Sequence, residues 1–180
     1  MITIRRRRPD SAEASVEARH RWWTDALRGA IAGAAATWVM DLVTTGMLDA
    51  QPKRVTAREE AAQPNGRSSV GNLVAKVQSV LGLRLRVANR RRVERAVHYG
   101  LGIVPGAIYG VLRPRVPGLG AARGLAYGTA VFLLNDEFLN TRLGLAAPVS
   151  AYPAQTHLRG LVGHAVLGAT TDTGLDLLGV

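Results

Sequence analysis

His98-Tyr-Gly-Leu-Gly102-Ile-Val-Pro-Gly106-Ala-Ile-Tyr-Gly110 is the stretch on which the reading of this chain turns. Arg95 precedes it, Arg113 follows it, and no charged residue lies between His98 and Gly110. Gly102, Gly106 and Gly110 recur every fourth position, with His98 one step earlier in the series. Glycine inside a soluble helix costs about 1 kcal/mol relative to alanine. In a bilayer the alternatives to helix are worse, because unpaired backbone groups find no water there. Small residues also let two helix backbones approach closely. The stretch therefore reads as a glycine-striped helix in a membrane bundle, with Pro105 expected to kink it.

The composition agrees if its two halves are segregated. The 180 residues carry a formal charge of +10, yet 47% are hydrophobic. Arginine crowds residues 5–28 and 84–95, and the apolar runs lie elsewhere. Only 5% of residues are aromatic, so base stacking on nucleic acid is a poor explanation of the charge, and nucleic acid is not the expected partner. The chain has no cysteine, which excludes disulfides, Cys-ligated zinc and iron–sulfur clusters. No signal peptide is apparent, because Arg5–Arg8 lie too far before the first apolar run.

Working outward, residues 29–48, 96–112, 120–139 and 158–178 are the expected spans of an all-α polytopic membrane bundle occupying residues 28–180. Residues 1–27 read as a basic tail whose Arg5, Arg6, Arg7 and Arg8 suit anionic lipid head groups. Trp22 and Trp23 sit where amphipathic rings meet a membrane interface. Residues 49–95 form a polar connection. Within it, 55–62 predicts a short helix with a Thr56/Glu59 capping box. Val70 to Val87 predicts an amphipathic helix, lying on the membrane surface or packed as a cap over the bundle. The third span is short and needs residues at both ends to complete it. Basic residues divide almost evenly between the two faces, so the positive-inside rule does not orient the bundle.

Small residues repeat at four-residue steps in every span: Gly29 and Gly33; Gly102, Gly106 and Gly110; Gly120, Gly124 and Gly128; Gly160 and Gly168. These are the expected helix-packing positions. Each series meets a polar group, namely Asp41, His98, Asp136, and then His164 and Asp172. Three uses of this intramembrane cluster compete. The groups hydrogen-bond between helices, as interhelical polar side chains ordinarily do. They hold a metal or haem, with His98, His157, His164 and Glu137 as ligands. Or they line a proton or substrate path in a small transporter or channel. No Gly-x-Ser-x-Gly, phosphate-binding loop, dinucleotide fingerprint or His-Glu-x-x-His is present, so no enzyme class is indicated.

The run from Gly29 to Asp41, the His98-x-x-x-Gly102-x-x-x-Gly106 series and Gly163-His164 together resemble the YagU-type family of bacterial inner-membrane proteins. The resemblance implies a small multi-pass helical protein of the inner membrane without a settled biochemical activity. An accessory or assembly subunit, or a self-associating bundle, is the expected role, with no cofactor required.

Overall fold

The computed structural model describes residues 11–180, with side chains from Arg21 onward except that of Ala88. Arg5–Arg8 lie outside the described residues. The chain is 79% helical, without a strand among the described residues, and has six helices. They are α1 (Ser11–Asp49), α2 (Lys53–Ala62), α3 (Ser69–Leu81), α4 (Val87–Leu112), α5 and α6 (Ala154–Leu177). α5 begins as Leu125–Val131, continues through a π-helical stretch, Phe132–Leu139, and ends in Asn140–Arg142.

Several boundaries differ from those expected. The supposed tail before residue 28 is already helical from Ser11, so α1 is far longer than one span. The connection 49–95 is mostly helix, and it includes the arginine-rich start of α4. α4 runs continuously through Pro105. The capping box on α2 does not form: Pro52 precedes the helix, and Thr56 and Glu59 instead receive hydrogen bonds from Gln51. The amphipathic segment stops at Leu81, where Gly82 adopts φ 64° and closes α3 with a left-handed cap. At its other end, the Ser68 hydroxyl accepts from the Gly71 amide at 3.2 Å.

The third expected span changes most. Residues 113–124 are a series of turns, with positive φ at Gly118, Ala122, Arg123 and Gly124. Gly120 therefore does not lie on a packing helix; a side chain there would meet Arg113. The rest of the four-residue series does pack. A Cβ on Gly33 would lie 2.5 Å from the Gly102 carbonyl oxygen, and one on Gly106 would lie 2.6 Å from that of Gly29. Gly110 faces the backbone of Asp25 and Gly29. α1 and α4 are thus antiparallel with their backbones in contact. Gly124 and Gly128 meet Gly168 and His164 in the same way, joining α5 to α6 antiparallel. Gly160 is covered by the Phe132 ring. α6 also runs antiparallel along α1, since Gly163 meets Met40 and Thr44, and Gly174 meets Ala32. The four long helices therefore form an up-down-up-down bundle in the spatial order α4–α1–α6–α5.

The seams are made of small residues, with Tyr109, Tyr127, Phe132, Leu167 and Leu175 buried beside them. Ala32, Ala36, Thr37 and Thr171 are all less than 5% exposed, and the largest fully buried side chains are Leu175, Thr37 and Thr171. The hydroxyls of Thr37 and Thr171 donate back to the Gly33 and Leu167 carbonyls of their own helices, so they add no unpaired polar group. Large apolar side chains lie outside: Leu27, Ile31, Trp38 and Leu42 on α1; Val104 and Ile108 on α4; Leu133, Leu134 and Phe138 on α5; Leu158 on α6. Among the described residues, Arg21–Asp49 is the helix long and apolar enough to cross a membrane by that test, and only 22% of its most apolar window is buried within the protein. α4, α5 and α6 carry charged or polar residues that lower their mean hydropathy.

The seam makes a direct forecast. Replacing Gly106 with Ala should destabilise the bundle by about 1–3 kcal/mol, the usual cost of overpacking. Gly100, which has nothing within 4 Å of an added Cβ, should accept Ala without loss. Resistance to limited proteolysis of the two purified variants compares them directly.

Candidate functional site

One half of the bundle encloses a cleft of about 830 Å³. α1 contributes Thr37, Met40 and Thr44, α4 contributes His98 and Leu101, and α6 contributes His157, His164 and Leu167. The π-helical part of α5 supplies Phe132, Asn135, Asp136 and Glu137. π-helical turns are uncommon and cluster at functional sites. Here the local widening carries two consecutive carboxylates toward α6, where they meet different histidines.

Three histidine–carboxylate pairs result. His98 Nε2 lies 2.8 Å from Asp41, joining α4 to α1. His157 Nδ1 lies 2.7 Å from Glu137, and its Nε2 lies 3.0 Å from the Val149 carbonyl. The Val149 carbonyl can only accept, so Nε2 carries a proton, and Nδ1 shares one with the Glu137 carboxyl. His164 Nδ1 lies 3.0 Å from the Gly160 carbonyl and 3.7 Å from Asp136. The carbonyl contact places a proton on Nδ1. Asn135 donates to Asp136 at 2.7 Å.

The cleft is covered by the connection that follows α1. Arg159 pairs with Glu59 of α2 and donates to Gln51 at 2.9 Å, while Thr156 donates to Glu59 at 3.0 Å. From α3, Asn72 donates to the Leu145 carbonyl at 3.0 Å and Lys76 to that of Leu143 at 2.8 Å. The amphipathic segment therefore packs on the bundle beside the cleft. The other end of the bundle is closed by Tyr109 stacked on Tyr127, with ring centroids 4.3 Å apart.

The expected polar cluster is thus divided. Asp41, His98, Asp136 and His164 pair around the cleft, but Asp172 belongs to a separate site at the far end. There it accepts from Tyr109 at 2.6 Å and from Arg113 at 2.7 Å. Arg113 also reaches Asp176 at 2.5 Å and the Val180 carbonyl. Burial works against the charge of Arg113, but its hydrogen bonds to Asp172 and Asp176 outweigh that and raise its pKa. Arg115 pairs nearby with the buried Asp25 at 2.8 Å. The proposed metal ligands His98, His157, His164 and Glu137 do not form one ligand set. Each histidine has its own carboxylate partner, and no group of three or more His, Asp or Glu suited to a metal occurs among the described residues.

Glu59, Arg159 and Asn72 were not legible as site residues from sequence, and neither was the Tyr109–Asp172 contact. The one available signal was a charge, Arg159, early in an otherwise apolar helix. Compared with known proteins, the chain matches no family model, no curated protein and no solved structure.

The Arg113 junction separates buried from exposed pairing. The Asp172 side chain is 3% exposed and that of Asp176 is 55% exposed. Asp172→Ala removes the buried carboxylate shared by Tyr109 and Arg113, leaves Arg113 only Asp176 and the Val180 carbonyl, and should cost about 1–3 kcal/mol. Asp176→Ala should cost less than about 1 kcal/mol. Chemical denaturation of the two variants in one detergent gives the comparison.

Proposed function

We propose that this chain is a multi-pass bacterial inner-membrane protein whose working part is the histidine–carboxylate cleft, and that it binds a small ligand there rather than carrying out catalysis. In this reading α1, α4, α5 and α6 cross the bilayer, while α2 and α3 cap one face. The observation that carries it is the number of large apolar side chains left outside a bundle whose helices meet at small residues. Glycine, alanine and threonine line the seams, with Tyr109, Tyr127, Phe132, Leu167 and Leu175 buried beside them, while many leucines, isoleucines and valines stand exposed on the four helices. A water-soluble core buries its large apolar residues. A bundle in lipid gains nothing by doing so, and coheres through close backbone packing instead. Polar side chains within such spans turn toward protein or a cavity.

The resemblance to the YagU-type family points the same way. The glycine faces, which suggested self-association, are occupied within this chain, so the cleft is the better guide to function than an oligomer interface. Transport is a second reading, favoured by the three titratable pairs around one cavity. Flux in proteoliposomes, lost in His98→Ala and Asp136→Asn, is the result that would favour transport over simple binding.

The membrane assignment has its own test. Expressed in a bacterium, the full chain should remain with the membrane pellet after washing with alkaline carbonate, and leave it only with detergent. Recovery as a folded monomer in detergent-free buffer would contradict the proposal.

A further inference from the structure

Away from the cleft, the elbow between α3 and α4 leaves an apolar stripe uncovered. Val70, Leu73, Val74, Val77, Val80 and Leu81 follow one face of α3 at helical spacing. The bundle covers the first half of that stripe. Val74 is buried, and Val70 and Leu73 line the cleft. Val77, Val80 and Leu81 lie beyond Asn72 and Lys76, the residues that tie α3 to the 143–145 loop, and they stand exposed. Leu83 and Val87 add exposed apolar surface around the elbow; Val80 and Val87 are 79% and 86% exposed. Apolar residues gathered in this way and rimmed by polar ones mark an interaction site.

The rim is uniformly basic. Residues 77–92 hold five arginines, Arg84, Arg86, Arg90, Arg91 and Arg92, and no Asp or Glu. Arg90 is tied to Glu94 and to the Gly71 carbonyl. The other four are exposed and have no polar partner among the described residues. Such a surface is complementary to one that is apolar at its centre and acidic at its edges.

Height separates lipid from protein as the occupant. With the α4 span beginning at residue 96, the helix back to Val87 rises about 14 Å above the hydrocarbon. A tilt of about 40° still leaves about 11 Å, and the head-group layer is only about 5–8 Å thick. α3 leans on the same raised part of α4, with Gly71 against Arg90 and Glu94. Acyl chains therefore do not cover the elbow. A second copy of this chain is a poor match, because the exposed charges of the neighbouring α2 region are mostly basic: Lys53, Arg54, Arg58 and Arg67 against Asp49 and Glu60. Nucleic acid matches no better, since residues 77–92 carry no aromatic ring on which a base could stack.

We propose that the α3–α4 elbow is a docking surface for a partner protein, which lays an acidic amphipathic helix along Val77, Val80 and Leu81 and sets its carboxylates against Arg84, Arg86 and Arg91. The inference rests on the membrane reading above for the height of the elbow, and is independent of what the cleft binds.

The probe is a synthetic helical peptide with leucine along one stripe and glutamate elsewhere, carrying a fluorophore. Its anisotropy is measured against the full chain in phosphatidylcholine nanodiscs, with empty nanodiscs as the blank. The peptide should bind, whereas one with glutamine in place of leucine, or lysine in place of glutamate, should not. Val80→Gln with Leu81→Gln should weaken binding about tenfold, and so should Arg84→Gln, Arg86→Gln and Arg91→Gln together. All five side chains are exposed, so the fold tolerates these changes. Arg123→Gln, at the other end of the bundle, should leave binding unchanged. Equal binding of the glutamine-striped peptide reduces the effect to charge alone and overturns the docking surface. Capture of phosphatidylglycerol vesicles that is lost in the Val80→Gln, Leu81→Gln variant makes lipid the occupant and overturns it as well. A chain that enters the nanodiscs but does not bind the leucine–glutamate peptide overturns this inference alone. A chain that does not enter them overturns the membrane reading, and this inference falls with it.

Discussion

The contact between the backbones of α1 and α4 is the constraint on which the rest of the molecule depends. Gly29 and Gly33 lie directly against Gly102, Gly106 and Gly110, leaving no room for a Cβ on either side. That approach fixes the antiparallel register. It brings Asp41 opposite His98 at one end of the seam, and Asp25 within reach of Arg115 at the other. The α5–α6 seam repeats the arrangement with Gly124, Gly128 and Gly168. Two glycine seams, joined by α1 against α6, bring the backbones too close for side chains along the seams themselves. Many leucines and isoleucines stand on the outside of the helices, and that exposure is what the proposed bilayer placement explains.

The same geometry creates the cleft. Helices that touch at glycine along one half separate where glycine gives way to larger or polar residues. On α4 the change comes at His98, and on α5 it comes at the π-helical turn. The space that opens is a cleft with apolar walls, bordered by histidine–carboxylate pairs. The far end closes on Tyr109, Tyr127, Asp172 and Arg113, a buried charged junction that ties α4 to α6. The two polar clusters therefore differ in character. One is a buried ion-pair junction beside which the Tyr127 hydroxyl is buried without a hydrogen-bond partner, whereas the other lines an open cleft.

How much of this was legible in the sequence depends on the range of the interaction. The four-residue glycine series marked the faces that meet in the α1–α4 and α5–α6 contacts, because periodicity along a helix reports its packing face, but not which helices pair. It failed at Gly120, where Pro114 and Pro117 and a run of positive φ values hold the chain in turns. Asp41 and His98 were recognisable as polar groups between helices, since each continued a glycine series, and they pair half-buried across α1 and α4. Asp172 met the same criterion but belongs elsewhere, because drift around a helix over several steps cannot say which neighbour a residue meets. The π-helical turn left no local mark in Phe132–Leu139, and the cap over the cleft is made of contacts between residues far apart in the chain. Hydropathy alone recognised α1 and not its three partners, whose polar groups are paired with one another only once folded.

The account stands on which solvent touches the outer faces of the bundle. Nitroxide labels at Ile31, Ile108 and Leu133, one per variant in reconstituted phosphatidylcholine bilayers, measure that directly through collisions with oxygen and with a water-soluble nickel chelate. Lipid-facing positions should collide freely with oxygen and rarely with the chelate at all three sites. Ready collision with the chelate at these positions in the folded, reconstituted protein would contradict the bundle's placement in the membrane and the exposed apolar faces explained by it.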